Sequence, residues 1–175
     1  GQWTDDTSMA LCLAESLIVK QGCDVQEQMA HYANWYQWGY WSSTGHCFDI
    51  GMATRAAIQE FLRSGNALAG STDPQSAGNG SLMRLAPVAL MYGADTQKVQ
   101  DMAALSSRTT HAAPQCLDAC RLFAVALSRA LAGQSKQQGL DFSQLSFGST
   151  DIAEIAQGSC GSQSRDEIQS RGCVV

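Results

Sequence analysis

The sequence predicts an all-α fold. No segment alternates apolar and polar residues with the period of two that a half-buried strand requires, and β-branched residues are few. Apolar residues instead recur every three or four positions over stretches of helical length, with capping residues, glycines and prolines between them. A chain of 175 residues has the size of one ordinary domain, so we expect residues 1–175 to form a single domain.

Two helices are predicted at the start of the chain. The first spans residues 7–20 and ends at Gly22, because glycine readily terminates a helix. Asp24 and Glu27 have the spacing of a capping box, which predicts the start of a second helix. The apolar side of this helix is expected to comprise Val25, Met29, Tyr32, Ala33 and Tyr36.

Aromatic residues crowd the end of the second helix, and a third helix follows them. We expect the aromatic cluster to lie in the core. It comprises Trp35, Trp38, Tyr40 and Trp41. The third helix is predicted over residues 52–64, with Gly65 as its terminator. Its inward-facing residues are expected to be Ala53, Ala57, Ile58, Phe61 and Leu62.

The middle of the chain is predicted to be a long loop followed by an interrupted helix. Residues 65–80 are rich in glycine, serine and asparagine, and a loop of this length within a domain more often has a function than not. A helix is expected to begin near Ser81, and Pro87 within it implies a kink or a restart.

The last part of the chain is predicted to contain one long helix and two shorter ones. Pro114 opens the long helix, which ends at Leu131. The other segments are predicted as a helix over 95–107, a polar linker over 133–139, a short helix over 151–157 and an exposed loop over 158–170.

Charge and hydropathy exclude several classes of function. The net charge of −5 argues against non-specific binding to nucleic acid or to acidic membranes. No run of about 18 apolar residues is present, so no membrane-spanning segment is predicted. No secretory signal pattern is visible. The reduced thiols expected below indicate a cytoplasmic protein.

The seven cysteines favour neither disulfides nor zinc. They are odd in number, and they include no Cys-x-x-Cys pair and no Cys/His spacing typical of zinc. Cys12, Cys116 and Cys120 fall within apolar helical patterns, where cysteine behaves as a small core residue. We therefore expect reduced thiols, with a disulfide or zinc role as the less favoured alternative.

Two adjacent carboxylates, Asp5 and Asp6, directly precede the first helical pattern. One interpretation is a well-capped helix whose dipole stabilises the acidic side chains. The other is a site for a hard cation such as Mg²⁺, which takes one or two carboxylates together with water or substrate oxygens. Thr4 could add a hydroxyl ligand. One acidic pair does not decide between these interpretations.

A glycine-rich segment and a histidine are the other candidates for a binding site. Gly78-Asn79-Gly80-Ser81 leads directly into a helix, and glycines let the backbone approach a ligand closely. Arg84 could assist a phosphate or simply lie on the surface. The segment is a weak signal by itself, and a structural turn is the better interpretation. For His111, between a loop and a helix, a structural role and a ligand contact are equally favoured.

Four short segments form a recognisable pattern when they are taken in order. They are residues 3–9 (WTDDTSM), 47–51 (CFDIG), 78–84 (GNGSLMR) and 110–111 (TH). Together they closely resemble the ADP-ribosylglycohydrolase family, which includes the hydrolase that removes ADP-ribose from dinitrogen reductase. The combination of WTDDT-x-M with GNG-x-x-MR is highly specific, and the resemblance extends to at least residue 131. It makes metal binding the favoured interpretation of the acidic pair.

The resemblance implies a centre of two Mg²⁺ or Mn²⁺ ions within an all-α fold. Thr4, Asp5 and Asp6 match metal ligands of the family, and the two aspartates are also expected to be catalytic. Asp49 is the third expected catalytic residue, since its counterpart lies beside the scissile bond in arginine-specific members. Its alternative role is to cap the helix that begins near Gly51.

The resemblance also implies a substrate. Gly78, Asn79, Gly80 and Ser81 match the loop that wraps the diphosphate of ADP-ribose, and His111 matches a histidine near the ligand. The implied activity is metal-dependent hydrolysis of the N-glycosidic bond between ADP-ribose and a modified side chain, with arginine favoured. The expected partner is an ADP-ribosylated protein or an ADP-ribose-containing small molecule, with no nucleic acid and no membrane.

Two parts of the family pattern are missing. Family members have a helix before the WTDDT segment and a closing Gly-Asp-x-Asp-Thr motif, and none of Asp141, Asp151 and Asp166 stands in such a motif. We therefore expect an internal portion of a longer enzyme with half a metal site, which alone binds metal weakly and does not turn over substrate. The alternative is a non-catalytic relative, either crystallin-like or an ADP-ribose-binding module. The retained acidic pair favours the enzyme.

Overall fold

Helices dominate the computed structural model, which describes residues 1–164 and 166. The α-helices of this part of the chain are α1 Asp5–Lys20, α2 Val25–Trp38, α3 Met52–Ser64, α4 Gly80–Met83, α5 Ala86–Tyr92, α6 Thr96–Arg108, α7 Pro114–Leu131, α8 Lys136–Gly139 and α9 Thr150–Ala156. Short 3₁₀ turns occur at Pro74–Ser76 and Ser159–Ser162. Extended pairing among the described residues is limited to an isolated bridge between Ser71 and His111. The predicted all-α fold is confirmed.

The core forms where the longer helices pack together. Helix α7 packs against α5 and α6, and α1 packs against α2 and α5. Fully buried residues of the main core include Leu13, Met29, Tyr32, Ile58, Val88, Val99 and Val125. Cys12, Cys116 and Cys120 are also buried, as their patterns predicted. Within the described residues, no helix combines the length and apolarity needed to cross a membrane.

Helix α1 begins two residues earlier than predicted. Thr4 is its N-cap, in an extended conformation (φ −77°, ψ 172°), and no side chain caps the helix. Asp5 and Asp6 therefore occupy the first turn, where the helix dipole stabilises negative charge. The helix ends as predicted near Gly22, after Gln21 adopts a left-handed conformation (φ 50°).

The predictions for α2 and α3 are right in position and partly wrong in burial. The Asp24 carboxylate caps α2 by accepting hydrogen bonds from two first-turn amides. Trp35 is fully buried, but the other members of the aromatic cluster are exposed: Trp38, Tyr40 and Trp41. Leu62 is also exposed, because α3 packs mainly against α2 and buries only a narrow apolar stripe.

The loop between α3 and α4 is hydrogen-bonded to the last residue of α6 and to the segment that follows it. The amide of Gly70 donates to the carbonyl of Arg108 (3.1 Å), and the amide of Ala112 donates to the carbonyl of Ser71 (3.0 Å). A methyl group on Gly70 would lie 2.6 Å from the backbone nitrogen of His111, so only glycine permits this approach. The loop is thereby brought to His111.

Three predictions for the chain after residue 80 have clear outcomes. The predicted restart occurs, because α4 ends at Met83 and α5 begins at Ala86 with Pro87 in its first turn. The predicted linker over 133–139 is wrong in part, because Ser135 and Gln138 form a reciprocal capping box that starts α8. The predicted loop over 158–170 begins with a 3₁₀ turn, and residues 165 and 167–170 lie outside the described residues.

A buried carboxylate on α7 fastens the segment that enters α9. Asp118 is 3% exposed, and its side chain accepts hydrogen bonds from the amides of Gly148 (2.7 Å) and Ser149 (2.8 Å) and from Arg121 (2.7 Å). Ser149 is the N-cap of α9 and makes no side-chain cap of its own. Asp118 therefore satisfies amides at the start of α9 from a different helix.

We expect Asp118→Ala to lower the free energy of unfolding of the full chain by about 2 kcal/mol, because it leaves two partly buried amides and Arg121 without their acceptor. Urea denaturation measures this change. Asp101→Ala is the matched control. Among the described residues, that exposed carboxylate accepts a side-chain hydrogen bond only from Gln97 in its own helix, so its loss should change stability by less than about 0.5 kcal/mol. Equal effects of the two substitutions would contradict a fastening role for Asp118.

Candidate active site

The predicted site segments converge on one cleft of about 380 Å³. Its acidic end comes from the start of α1 and from the loop before α3, and its other end comes from the loop before α4. The lining residues are Asp5, Asp6, Met9, Trp35, Asp49, Ile50, Gly51, Met52, Ala53, Thr54, Gly78, Asn79, Gly80, Met83 and His111. Residues far apart in sequence are thus brought together as predicted.

Two of the predicted site residues do not line the cleft. Thr4 directly precedes the acidic pair, and its carbonyl accepts hydrogen bonds from the amide and hydroxyl of Ser8. Ser81 is buried, and its hydroxyl lies 2.8 Å from the hydroxyl of Ser107 and 3.5 Å from the sulfur of Cys120. The Ser81 side chain therefore faces the interior rather than the cleft.

The carboxylates at the acidic end perturb one another. Burial raises the pKa of Asp5, a backbone hydrogen bond partly opposes this, and the charge of Asp49 raises it further. Burial also raises the pKa of Asp6, with the charge of Asp5 adding and the charge of Arg84 opposing. Like charges gathered at one end of a cleft favour a cationic ligand.

Asp49 is held in the cleft by an unusual backbone conformation. Its φ is 52°, in the left-handed region that asparagine and aspartate tolerate better than other side chains. The alternative that Asp49 caps α3 is wrong, because Gly51 is the N-cap and no side chain caps this helix. The Asp49 carboxylate is exposed and makes no hydrogen bond within the described part of the chain.

The glycine loop lies directly over His111. A methyl group on Gly80 would lie 3.0 Å from Cε1 and 3.3 Å from Nε2 of His111, whereas one on Gly78 would lie 3.5 Å from the ring. The ring therefore packs closely beneath the backbone at Gly78 and Gly80, because neither residue has a side chain. The histidine is 5% exposed, and burial together with the charge of Arg84 lowers its pKa to about 3, so it is neutral.

Arg84 is buried and is not among the residues that line the cleft, so the interpretation that it lies on the surface is wrong. It is 1% exposed, and its Nη2 donates to the hydroxyls of Thr109 (3.2 Å) and Thr110 (2.6 Å). Its guanidinium lies 4.5 Å from the centre of the Tyr32 ring, a cation–π contact. The hydroxyl of Thr110 in turn lies 2.8 Å from Nδ1 of His111. Arg84 therefore affects the cleft indirectly, through Thr110 and His111.

Sequence reasoning missed a cluster that holds the segment before α1. Glu15 accepts hydrogen bonds from the indole of Trp41 (2.6 Å) and from the hydroxyl of Tyr40 (2.8 Å). The indole of Trp3 donates to the carbonyl of Trp41 (3.0 Å), and the hydroxyl of Ser43 donates to the carbonyl of Trp3 (2.7 Å). Trp3, Tyr40 and Trp41 thus make polar contacts while their side chains stay partly exposed, and the crowding of aromatic residues near position 40 is the only sequence signal for the cluster.

The acidic end fits part of a site for a hard cation. Asp5 and Asp6 offer the anionic oxygen donors that Mg²⁺ and Mn²⁺ prefer. A cation beside them would offset the burial that raises the pKa of both carboxyls and the carboxylate repulsion that adds to it. Among the residues that the structure describes, no group of three histidine, cysteine, aspartate or glutamate side chains is arranged to hold a metal. The donor set is therefore consistent with a cation but is not a full coordination shell.

Comparison with known proteins identifies the family. Residues 1–170 match the profile of the ADP-ribosylglycohydrolase family. The chain belongs to this family. As an ADP-ribosylglycohydrolase family member, it is a relative of glycosidic-bond hydrolases, and the resemblance predicted from four short segments is confirmed.

Several family members are similar to the chain. It is 39% identical over its whole length to the ADP-ribosylarginine hydrolase Tri1 of Pseudomonas putida and 35% identical to that of Serratia proteamaculans, covering 47% and 48% of those proteins. It is 31% identical over 69% of its length to the ADP-ribosyl-[dinitrogen reductase] glycohydrolase of Rhodospirillum rubrum, covering 38% of that protein.

A solved structure described as an ADP-ribosylglycohydrolase-related protein complex matches with a TM-score of 0.68 and 40% identity. This match covers 82% of the chain and 45% of that structure. The chain therefore spans about half the length of the relatives it matches.

The Glu15 cluster predicts a pH-dependent contribution to stability. The hydrogen bond from Trp41 is the main cause that lowers the pKa of Glu15 below its ordinary value of 4.5, and Tyr40 adds to it. A lowered pKa in the folded state stabilises the fold above pH 4.5, and this contribution is lost as the pH falls through the lowered value. We expect Glu15→Gln to destabilise the chain at neutral pH and to have little effect at a pH well below 4.5.

Urea denaturation at the two pH values measures this difference. Trp41→Phe is the companion variant, because it keeps an aromatic ring and removes the main donor, so the pKa of Glu15 should rise towards 4.5. A destabilisation by Glu15→Gln that is the same at both pH values would show that the charge of Glu15 is not what matters.

Proposed function

We propose that this chain forms the substrate-binding part of an enzyme that hydrolyses the N-glycosidic bond between ADP-ribose and an arginine side chain. The observation that carries the proposal is the convergence of Asp5, Asp6 and Asp49 with the Gly78–Gly80 backbone and His111 on one cleft. Membership of the ADP-ribosylglycohydrolase family supports it, and so do the names of the two similar arginine hydrolases.

The two ends of the cleft suit the two ends of such a substrate. At the glycine loop, Gly80 lets the His111 ring pack closely beneath the backbone, and this neutral ring offers a hydrogen-bonding nitrogen to a diphosphate. Binding energy from this remote group then places the ribose at the acidic end. The chain uses the diphosphate as a handle and leaves the reacting carbon beside the carboxylates.

The acidic end suits the bond that breaks. Departure of a nitrogen leaving group from the ribose builds positive, oxocarbenium-like charge on the sugar ring, which nearby carboxylates stabilise. Asp5 and Asp6 line this end of the cleft and would hold Mg²⁺ or Mn²⁺ there. When bound, such a cation orients the ribose hydroxyls and activates a water molecule.

Asp49 is positioned for the arginine side of the bond. Its carboxylate is exposed in the cleft and makes no hydrogen bond within the described residues, so both oxygens are available to a ligand. A guanidinium and a carboxylate pair through two parallel hydrogen bonds, which orients the leaving group as well as holding it. Arginine is therefore the modified side chain that this cleft fits best.

Because the chain spans about half of its relatives' length, turnover is tested both in the chain itself and in a chimera. In the chimera, residues 1–175 replace the aligned segment of the Pseudomonas putida relative. Release of ADP-ribose from ADP-ribosylarginine is measured with and without Mg²⁺ or Mn²⁺, and calorimetry gives the affinity for ADP-ribose.

We expect Asp49→Asn in the chimera to reduce the rate of ADP-ribose release at least about a hundredfold, because the amide cannot form the charged pair with the leaving guanidinium. Affinity for ADP-ribose, which has no arginine, should change less than about threefold. Asp101→Asn is the control for a lost carboxylate outside the cleft and should leave both quantities unchanged.

Three other outcomes would decide against parts of the proposal. Unchanged turnover in Asp49→Asn would remove Asp49 from the reaction. Binding of ADP-ribose without turnover, with or without metal, would favour the non-catalytic binding module instead. Neither binding nor turnover by a folded chimera would refute the proposed function.

The glycine loop gives a second test that depends on sterics alone. Gly80→Ala should weaken ADP-ribose binding about tenfold or more, because its methyl group would lie within 3.4 Å of both His111 and Thr54 and must displace the ring. Gly78→Ala is the matched control, since its methyl group would make only ordinary contacts at 3.5 Å. Calorimetry on the full chain measures both variants. Equal losses would show that the closeness of Gly80 to His111 has no bearing on binding.

A further inference from the structure

The contacts of Arg84 determine where the protons of its neighbours lie. A guanidinium has only donors, so the hydroxyl of Thr110 must accept the 2.6 Å hydrogen bond from Arg84. Arg84 is 1% exposed, and none of the ion pairs formed by the described residues includes it. Its charge therefore acts on the threonine hydroxyls with little screening.

The remaining proton of Thr110 has one acceptor. Its hydroxyl makes two side-chain contacts within the described residues, the one from Arg84 and the 2.8 Å contact with Nδ1 of His111. Because Arg84 donates a hydrogen bond to one lone pair of the Thr110 oxygen, the hydroxyl proton of Thr110 is directed towards Nδ1 of His111. Nδ1 is then the acceptor, and a neutral imidazole with an unprotonated Nδ1 carries its proton on Nε2.

We propose that Arg84 and Thr110 are positioning residues that hold His111 in the tautomer with its proton on Nε2, so that His111 presents an N–H donor to the cleft. In this arrangement the guanidinium donates to Thr110, Thr110 donates to Nδ1, and Nε2–H is left for a ligand. Nε2 makes no hydrogen bond within the described part of the chain, and His111 lines the cleft.

Two features make this donor permanent. The charge of Arg84 and the burial of the ring oppose a second proton, and the pKa of His111 falls to about 3, so the imidazole does not become a cation at neutral pH. The ring also has little room to move, because it packs so closely against Gly80 that a methyl group there would lie 3.0 Å from Cε1 of His111. The donor is therefore fixed both in chemistry and in direction.

The ligand that this donor fits is an acceptor-only group, such as an oxygen of a diphosphate. This assignment of the ligand rests on the proposed function, whereas the assignment of the tautomer does not. A neutral donor recognises such an oxygen by geometry without adding positive charge to the cleft. The acidic pair and the diphosphate end can therefore have different electrostatic environments within one small cleft.

The tautomer is tested by ¹⁵N NMR on the full chain at neutral pH. Long-range proton–nitrogen correlations distinguish a protonated ring nitrogen from an unprotonated one, and loss of the signals in His111→Asn assigns them. We expect Nδ1 of His111 to be unprotonated and Nε2 to be protonated. The opposite pattern, or a cationic ring, would overturn the proposal without any variant of Thr110.

Variants of the two adjacent threonines separate positioning from stability. Thr110→Val removes the hydroxyl that links Arg84 to His111, so the Nε2–H tautomer should no longer dominate and ADP-ribose affinity should fall about tenfold. Thr110→Ser restores the hydroxyl and should restore both properties. Thr109→Val removes the other hydroxyl that accepts a hydrogen bond from Arg84 and should leave the tautomer of His111 unchanged.

The outcomes distinguish this inference from the proposed function. If Thr110→Val keeps the wild-type tautomer, the inference is wrong. If the tautomer is as proposed but the wild-type chain and the chimera do not bind ADP-ribose, the positioning arrangement stands and the proposed function fails. If Thr110→Val does not fold, the spectra of the wild type and of Thr110→Ser still decide, since both must show the Nε2–H pattern.

Discussion

A buried positive charge that has no carboxylate partner among the described residues is the constraint on which this site depends. The guanidinium of Arg84 is stripped of water and lies against the ring of Tyr32, the sulfur of Met9 and the two hydroxyls that follow α6. Burying a charge in this way is costly unless every neighbour is placed to receive it. Helices α1 and α2, the end of α6 and the junction after α4 must therefore meet in one arrangement, and that arrangement also forms the back wall of the cleft.

The same charge divides the cleft into two environments. At the acidic end, the charge of Arg84 opposes the rise in the pKa of Asp6 that burial and the charge of Asp5 cause. On the other side it helps to keep His111 neutral. The carboxylates thus remain the only formal charges that line the cleft among the described residues, and the glycine loop faces an uncharged ring. A substrate with a cationic end and a diphosphate has a distinct place for each in the proposed binding mode.

Local signals in the sequence predicted the parts of the structure that local interactions determine. The ends of α3, the cap of α2 and the restart at Pro87 follow from residues next to them in the chain. The segments of the site were also recognisable, because each is a short motif. The sequence did not show that Arg84 is buried or that Trp41 is exposed, since their partners, Thr110 and Glu15, are about 26 residues away in the chain. Nor did it show that Ser81 faces the interior, which depends on α6 and α7.

The loop before α4 is hydrogen-bonded to other elements at its two ends and is exposed to solvent between them. Gly70 and Ser71 pair with the backbone after α6, and the carbonyl of Gly78 accepts from the thiol of Cys116, while residues 72–76 are exposed. Changes in the length or composition of the exposed part need not move the backbone above His111. Related chains can therefore differ in this exposed stretch without altering the glycine backbone that lies over His111.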